Sequence, residues 1–375
     1  LESKKLLFRT HHDQNFAKQN TPVRWIGLFL PFIFLTFKPY YPLMKKLFLL
    51  MTLAGLMLTG CSPDFDCCMP SEADFIINGD PATLQSDPFN AGPPNSSLFP
   101  DLFTNNTIKV NSGNIDGFVF GGVSTGADEV SGNIITMTNG VVGWSIYGGY
   151  SVDGIVKNNS VTMANGEVGH LIVGGLSENE NATNNSVTIT GGVISGALGG
   201  ASNMGTASNN SVTITGGTIN GPVVGGSAMN SATNNTITIS GAPTFGASSV
   251  LLGGGLNVPV GDAFTGNILN VLNYSGNAVD VVANFQFFNF TFPSTQGSPV
   301  LKATVLAALG TPLGSSSITI EVTGAPLMVG TEFTLIEAGT LDTSFFTQTT
   351  FSGGGYDWDL LVVGNDLIAK VTAVL

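Results

Sequence analysis

Apolar and polar residues alternate through short stretches of this chain. In Asn184-Asn185-Ser186-Val187-Thr188-Ile189-Thr190, Val187 and Ile189 fall on one side of an extended backbone and Thr188 and Thr190 on the other. β-branched residues of this kind suit a pleated strand. Gly191-Gly192 then turns the chain, and Ile194 and Leu198 mark a second and a third short strand. No unit carries an apolar stripe of helical period, which argues against a helical solenoid.

The same unit recurs. NNSVTITGGVISGALGG from Asn184 returns as NNSVTITGGTINGPVVGG from Asn209 and as NNTITISGAPTFGASSVLLGG from Asn234, with looser copies from Asn105, Asn133 and Asn158. Double glycines begin at 121, 148, 174, 199, 225 and 253, at separations of 27, 26, 25, 26 and 28. One such unit cannot bury its apolar side alone, but stacked units can. Val161, Val187, Val212 and Ile237 are then expected to form one internal column, and Met163, Ile189, Ile214 and Ile239 another. The Gly-Gly and Asn-Asn pairs are expected at corners that need positive φ. A period near 26 with three short strands predicts an all-β fold, a right-handed parallel β-helix (solenoid) with a C-terminal β cap. Six turns would span roughly 30 Å at the strand spacing of about 4.8 Å. A trimeric β-roll is the alternative architecture.

Charge divides the chain in two. Eight of the twelve Lys and Arg precede position 61. From Cys61 onward there are four lysines and no arginine against 23 Asp and Glu, a net charge of −19. Such a body cannot neutralise phosphates, so nucleic acid is excluded as a partner. Attachment to an anionic membrane would have to be covalent or hydrophobic.

The start of the chain supplies a candidate attachment. Lys45 and Lys46 precede an apolar run, Leu47 to Leu58, of leader length and too short for a comfortable span. It ends in Leu58-Thr59-Gly60-Cys61, which resembles the lipobox of bacterial lipoproteins. The resemblance implies cleavage before Cys61 and acylation of that residue. Several acyl chains anchor durably where one is marginal. Ser62, rather than Asp, after the cysteine implies sorting to the outer membrane. The expected organisation is 1–43 as an extension upstream of the true start, 44–60 as leader, and 61–104 as a proline-rich tether and N-terminal cap. Repeats would then fill 105–254, and final coils with the C-terminal β cap 255–375. Cys67 and Cys68 adjoin the tether without a metal-binding context.

The repeats from Asn105 to Gly254 also resemble the passenger repeats of autotransporter-type surface proteins, and VANFQFFNFTFP near residue 290 looks like the segment that follows them. Phe333-Thr334-Leu335-Ile336 and Asp366-Leu367-Ile368-Ala369 resemble the strands that finish a passenger. The resemblance implies a surface structure or adhesin. The residues after Gly254 show no aromatic girdle pattern of membrane strands, which departs from that family.

Candidate chemistry is sparse. Polysaccharide lyases resembling pectate lyase need an arginine base, and this body has none. Asp128-Glu129 and Asp357 with Asp359 are the acid pairs, without second partners nearby in sequence. His170, the one histidine after the leader, aligns with Trp144 and Gly117 and is expected at a solvent-facing corner. No catalytic residue, metal site or cofactor is expected. Trp144, Tyr147 and Tyr150 come together in sequence without an acid pair, so a carbohydrate-active β-helix is the alternative reading. The loop from Leu176 to Asn184, rich in Asn and Glu, is a candidate contact site for a glycan or host surface.

Thr136, Thr162, Thr188, Thr213 and Thr238 should stack outward as a ladder, with Thr138, Thr190, Thr215 and Ser240 as a second that Ala164 interrupts. Two such ranks resemble the face of ice-binding β-solenoids and could equally offer hydroxyls to glycans. The plainer reading is that Thr is a good exposed strand residue. The expected role is a lipid-anchored outer-membrane adhesin or structural rod at the cell surface.

Overall fold

The computed structural model describes residues 75–77, 103–115, 117–256, 261–297, 299–307, 315–342 and 346–375. The leader, Cys61, Cys67, Cys68 and the segment 1–43 lie outside the described residues. Within them every regular element is a strand, and the strands stack into a parallel β-solenoid of about eight turns.

The first sheet has ten strands, all parallel. They run in chain order from Phe75–Ile77 and Thr107–Val110 through Ser186–Ile189 to Phe287–Pro293 and Ser317–Thr323. Val161, Val187, Val212 and Ile237 pair rung to rung, as do Met163, Ile189, Ile214 and Ile239. Both columns are buried. They continue into Leu269, Phe288 and Ile318 and into Val271, Phe290 and Ile320. Each buried Val, Leu, Ile or Phe contributes about 1.5–3 kcal/mol of transfer free energy. Ile318, Ile320 and Val322 form the last parallel rung of this sheet.

Gly140, Gly166, Gly192 and Gly217 turn the chain with φ between 85° and 105°. The second sheet follows. Its Val142, Val168, Ile194 and Ile219 face the first sheet, and so do Ile146, Ile172, Ala197 and Val223. A short third sheet of five strands, from Val130–Ser131 to Ser231–Thr233, closes each coil. Val130, Val156, Ala182, Ala207 and Ala232 are its buried residues.

The two kinds of pair expected at corners do different things. The first asparagine of each Asn-Asn pair has positive φ: Asn105, Asn158, Asn184, Asn209 and Asn234 lie between 56° and 58°. Gly132 and Gly266 hold the equivalent place, at 70° and 71°. The looser unit beginning at Asn133 is therefore in register one residue earlier than its sequence suggests. The second asparagine, half-buried at Asn106 and fully buried in the later coils, builds a ladder through the molecule. Asn185 Oδ1 accepts from Asn159 N (3.1 Å) and Asn159 Nδ2 (3.0 Å), and Asn185 Nδ2 donates to Val156 O (3.0 Å) and Asn210 Oδ1 (3.2 Å). The same arrangement runs through Asn106, Asn133, Asn159, Asn185, Asn210, Asn235 and Asn267.

The double glycines at 199, 225 and 253 are not corners. They lie inside the strands Val193–Ser202, Val223–Ala228 and Val250–Leu256. Their missing side chains make room for the ladder. A Cβ on Gly200 would sit 2.5 Å from Asn210 Cγ and 2.7 Å from Asn210 Nδ2.

The C-terminal end is closed by an antiparallel cap. Glu332–Leu341 pairs parallel with Leu301–Ala307 and antiparallel with Asp366–Val374, which pairs with Tyr356–Val363 and through it Thr350–Gly353. Trp358 is fully buried in it, beside Phe333, Phe351 and Tyr356, and its Nε1 donates to Gly353 O at 2.9 Å. Gln348 acts as a one-residue strand on the last rung: Ile318 N donates to its Oε1 (2.8 Å), and its Nε2 donates to Ile318 O (3.3 Å). At the other end the backbone of Phe75–Ile77, within the segment expected as tether and N-terminal cap, pairs with Ile108–Val110 as a further parallel rung.

Candidate functional site

Three outward regions carry side chains able to meet a partner. The first is the outer face of the first sheet. Thr136, Thr162, Thr188, Thr213 and Thr238 pair rung to rung in one unbroken column, each half-buried. Alternation puts them opposite the apolar columns, as expected. Lys109 precedes them in register, and Asn270, Asn289 and Thr319 follow. Asn270 Nδ2 donates to Thr238 Oγ1 at 3.1 Å, and Asn289 Nδ2 to Asn270 Oδ1 at 2.8 Å. The second expected rank is present too. The amides of Thr138, Ala164, Thr190 and Thr215 bond in turn to Val110, Met137, Met163 and Ile189 of the preceding coils.

The second region is a column of loops between the second and third sheets. Buried Ser124, Ser151, Ser177 and Ser202 hold it. Their hydroxyls accept from Gly126 N (3.2 Å), Gly154 N (2.9 Å), Glu180 N (3.0 Å) and Gly205 N (2.8 Å). These bonds fix tight turns that present Asp128, Asp153, Glu178, Asn179, Glu180 and Asn203. The candidate contact loop from Leu176 to Asn184 is one storey of this column. Asn179 Nδ2 donates to Asp153 Oδ1 of the preceding coil at 2.6 Å. Glu178 joins three coils, accepting from Tyr150 Oη at 3.4 Å and from Asn203 Nδ2. Burial pushes its carboxyl above the usual range, against the pull of the two donors. This partnership escaped sequence reasoning, because the three residues lie on different coils.

The third region is aromatic. His170 N donates to Trp144 O and Trp144 N to Gly117 O, so the three align as expected. His170 lies within the strand Glu167–Val173, beside a break in its pairing, rather than at a corner. Its ring stacks on Trp144 at 4.7 Å and 10°. Phe118 lies 5.6 Å from Trp144, and Phe120 stacks on Tyr147 at 5.2 Å. Trp144 is 50% exposed, yet its ring lies between neighbours from adjoining coils, so it presents mainly an edge. Sugar stacking needs a face.

The acid pairs stay apart. Glu129 is held by Lys157 (2.7 Å) and by Ser131 Oγ (2.8 Å), and the Lys157 hydrogen bond is the main pull that lowers its pKa. Asp357 accepts from Ser352 Oγ at 2.5 Å, and Asp359 lies in register with Lys370. Among the described residues no group of three or more His, Cys, Asp or Glu is arranged to hold a metal ion. Comparison with known proteins finds no matching family model, no matching curated protein and no matching solved structure.

Proposed function

We propose that this chain is a lipoprotein held in the outer membrane by acyl chains on Cys61, with its solenoid displayed at the cell surface as an adhesin or structural rod. The observation that carries the reading is the contrast between a repeating interior and one varied column of loops. Apolar and asparagine columns recur coil after coil, while Asp128, Asp153, Glu178 and Asn203 occupy successive storeys of the loop edge. A rigid scaffold that varies on its loops is suited to contact. Thirteen residues, 62–74, separate Cys61 from Phe75–Ile77, which pairs with the solenoid. The reading assigns no catalysis.

The test is the intact mass of the membrane-fraction protein, with metabolic acyl labelling and a Cys61→Ala variant. A species that starts at Cys61, carries acyl chains and disappears in the variant is expected. A lipid-free species, or one that retains residues before Met44, would overturn the anchor. Protease treatment of whole cells should remove the solenoid, and full protection would turn it to the periplasmic side.

A further inference from the structure

We propose that the outer face of the first sheet binds ice. Eight threonines lie in two adjacent columns there, the unbroken Thr136, Thr162, Thr188, Thr213 and Thr238 beside Thr138, Thr190 and Thr215, which Ala164 interrupts. Ser160, Ser186 and Ser211 make a third. Neighbouring hydroxyls are spaced by about 4.8 Å across the rungs and about 6.6 Å along a strand. Threonine is stiff at χ1, so a parallel sheet holds its methyl and hydroxyl groups in a fixed array. The hydroxyls of Thr136, Thr162, Thr188 and Thr213 bond to no other described residue, whereas Thr238 is engaged by Asn270, and in the second column Thr138 Oγ1 donates to Asn111 Oδ1 (3.1 Å) and Thr190 Oγ1 to Met163 O (3.4 Å).

A separate observation concerns charge. The seven strands from Ile134–Met137 to Phe287–Pro293 contain no Asp, Glu, Lys or Arg, although the body carries a net charge of −19. The charges in register with this face are Lys109 before the array and Glu321 beyond it. The complement of such a face is an extended uncharged surface. A soluble glycan would gain little, since exchanging water for sugar at an exposed hydroxyl is nearly neutral and the array offers no aromatic face or carboxylate. Ordered water needs no such exchange, and a regular hydroxyl–methyl grid arranges its own hydration in a repeat that a water lattice can continue.

This inference needs neither the lipid anchor nor adhesion. The test uses the purified full chain in ice-recrystallisation and freezing-hysteresis assays. The parent protein should slow recrystallisation, and Thr188→Lys with Thr213→Lys should abolish the effect. A control with the same charge change on the third sheet, Thr183→Lys with Thr233→Lys, should keep it. Circular dichroism and melting check that all three are folded. An inactive folded parent, or a control that loses as much as the face variant, would overturn the proposal. So would sedimentation with crystalline cellulose or chitin that depends on Thr188 and Thr213 without any effect on ice.

Discussion

Asn184 and Asn185 are identical neighbours, and replacing each by alanine should have very different consequences. Asn185 is 1% exposed. Truncation at Cβ removes the acceptor for two donors on Asn159, its backbone N–H and its Nδ2, and the donor to Val156 O and Asn210 Oδ1. Asn159 is itself fully buried, so water does not reach its freed groups in the folded state. Each buried polar group left unsatisfied costs about 1–3 kcal/mol, so two orphaned donors alone amount to about 2–6 kcal/mol. Asn184 is exposed and holds φ at 56°. Its replacement by alanine sets the left-handed penalty, about 1–2 kcal/mol, and Asn184→Gly should be nearly neutral because glycine already serves at 132 and 266. The assay is urea unfolding of the full chain followed by far-UV circular dichroism, with midpoints compared at equal slope. An Asn185→Ala midpoint as high as that of Asn184→Ala would refute the ladder as a source of stability.

Further outcomes follow from single contacts. Gly200→Ala should destabilise by about 1–3 kcal/mol, although alanine ordinarily improves on glycine within a strand, because the new Cβ meets Asn210; thermal melting checks this. Gln348→Ala should speed hydrogen exchange at the Ile318 amide while leaving mid-solenoid amides protected. Glu178 has its folded pKa raised, so its contribution to stability is complete below the unfolded carboxyl range and lost as pH rises through the folded value. Glu178→Gln should therefore melt higher than the parent at pH 7, and the gap should close towards pH 4. Equal melting curves at both pH values would contradict the buried placement of that carboxyl.

The interior was legible in the sequence where two signals coincide. Period-2 alternation and β-branched residues at a constant spacing determined the columns of Val187 and Ile189 and, on the opposite side, that of Thr188. The division of labour within each Asn-Asn pair was not, since two identical residues offer no contrast. The clue lay in the irregular units: glycine replaces the first asparagine in Gly132-Asn133 and Gly266-Asn267, but the second is always kept. The double glycines misled because the letter does not say whether glycine is required for positive φ or for close approach, and only the facing Asn210 decides it. Glu178, Tyr150 and Asn203 could not be joined in advance without the register of three coils. Gln348 belongs to no repeat, and its role appears only when the last rung needs a partner.

The ladder also settles a problem that nearly identical coils create. A one-residue slip between rungs turns apolar side chains outward and is excluded by the hydrophobic pattern alone. A two-residue slip is not, because Val and Ile still meet Val and Ile. It would, however, set Asn185 against Val212 in place of Asn210 and leave buried amide groups without partners, at about 1–3 kcal/mol each. Buried polar residues act here as a register device. The spacing of the ladder tests the idea within one molecule. Successive members are separated by 27, 26, 26, 25, 25 and 32 residues, and the longest interval keeps the same bond, from Asn235 N to Asn267 Oδ1 at 2.9 Å. Extra residues enter between rungs while Thr236–Ser240 keep regular pairing with Ile268–Leu272, and the register shifts by one residue only at Gly241. Coil length thus varies between rungs while the asparagine ladder stays aligned.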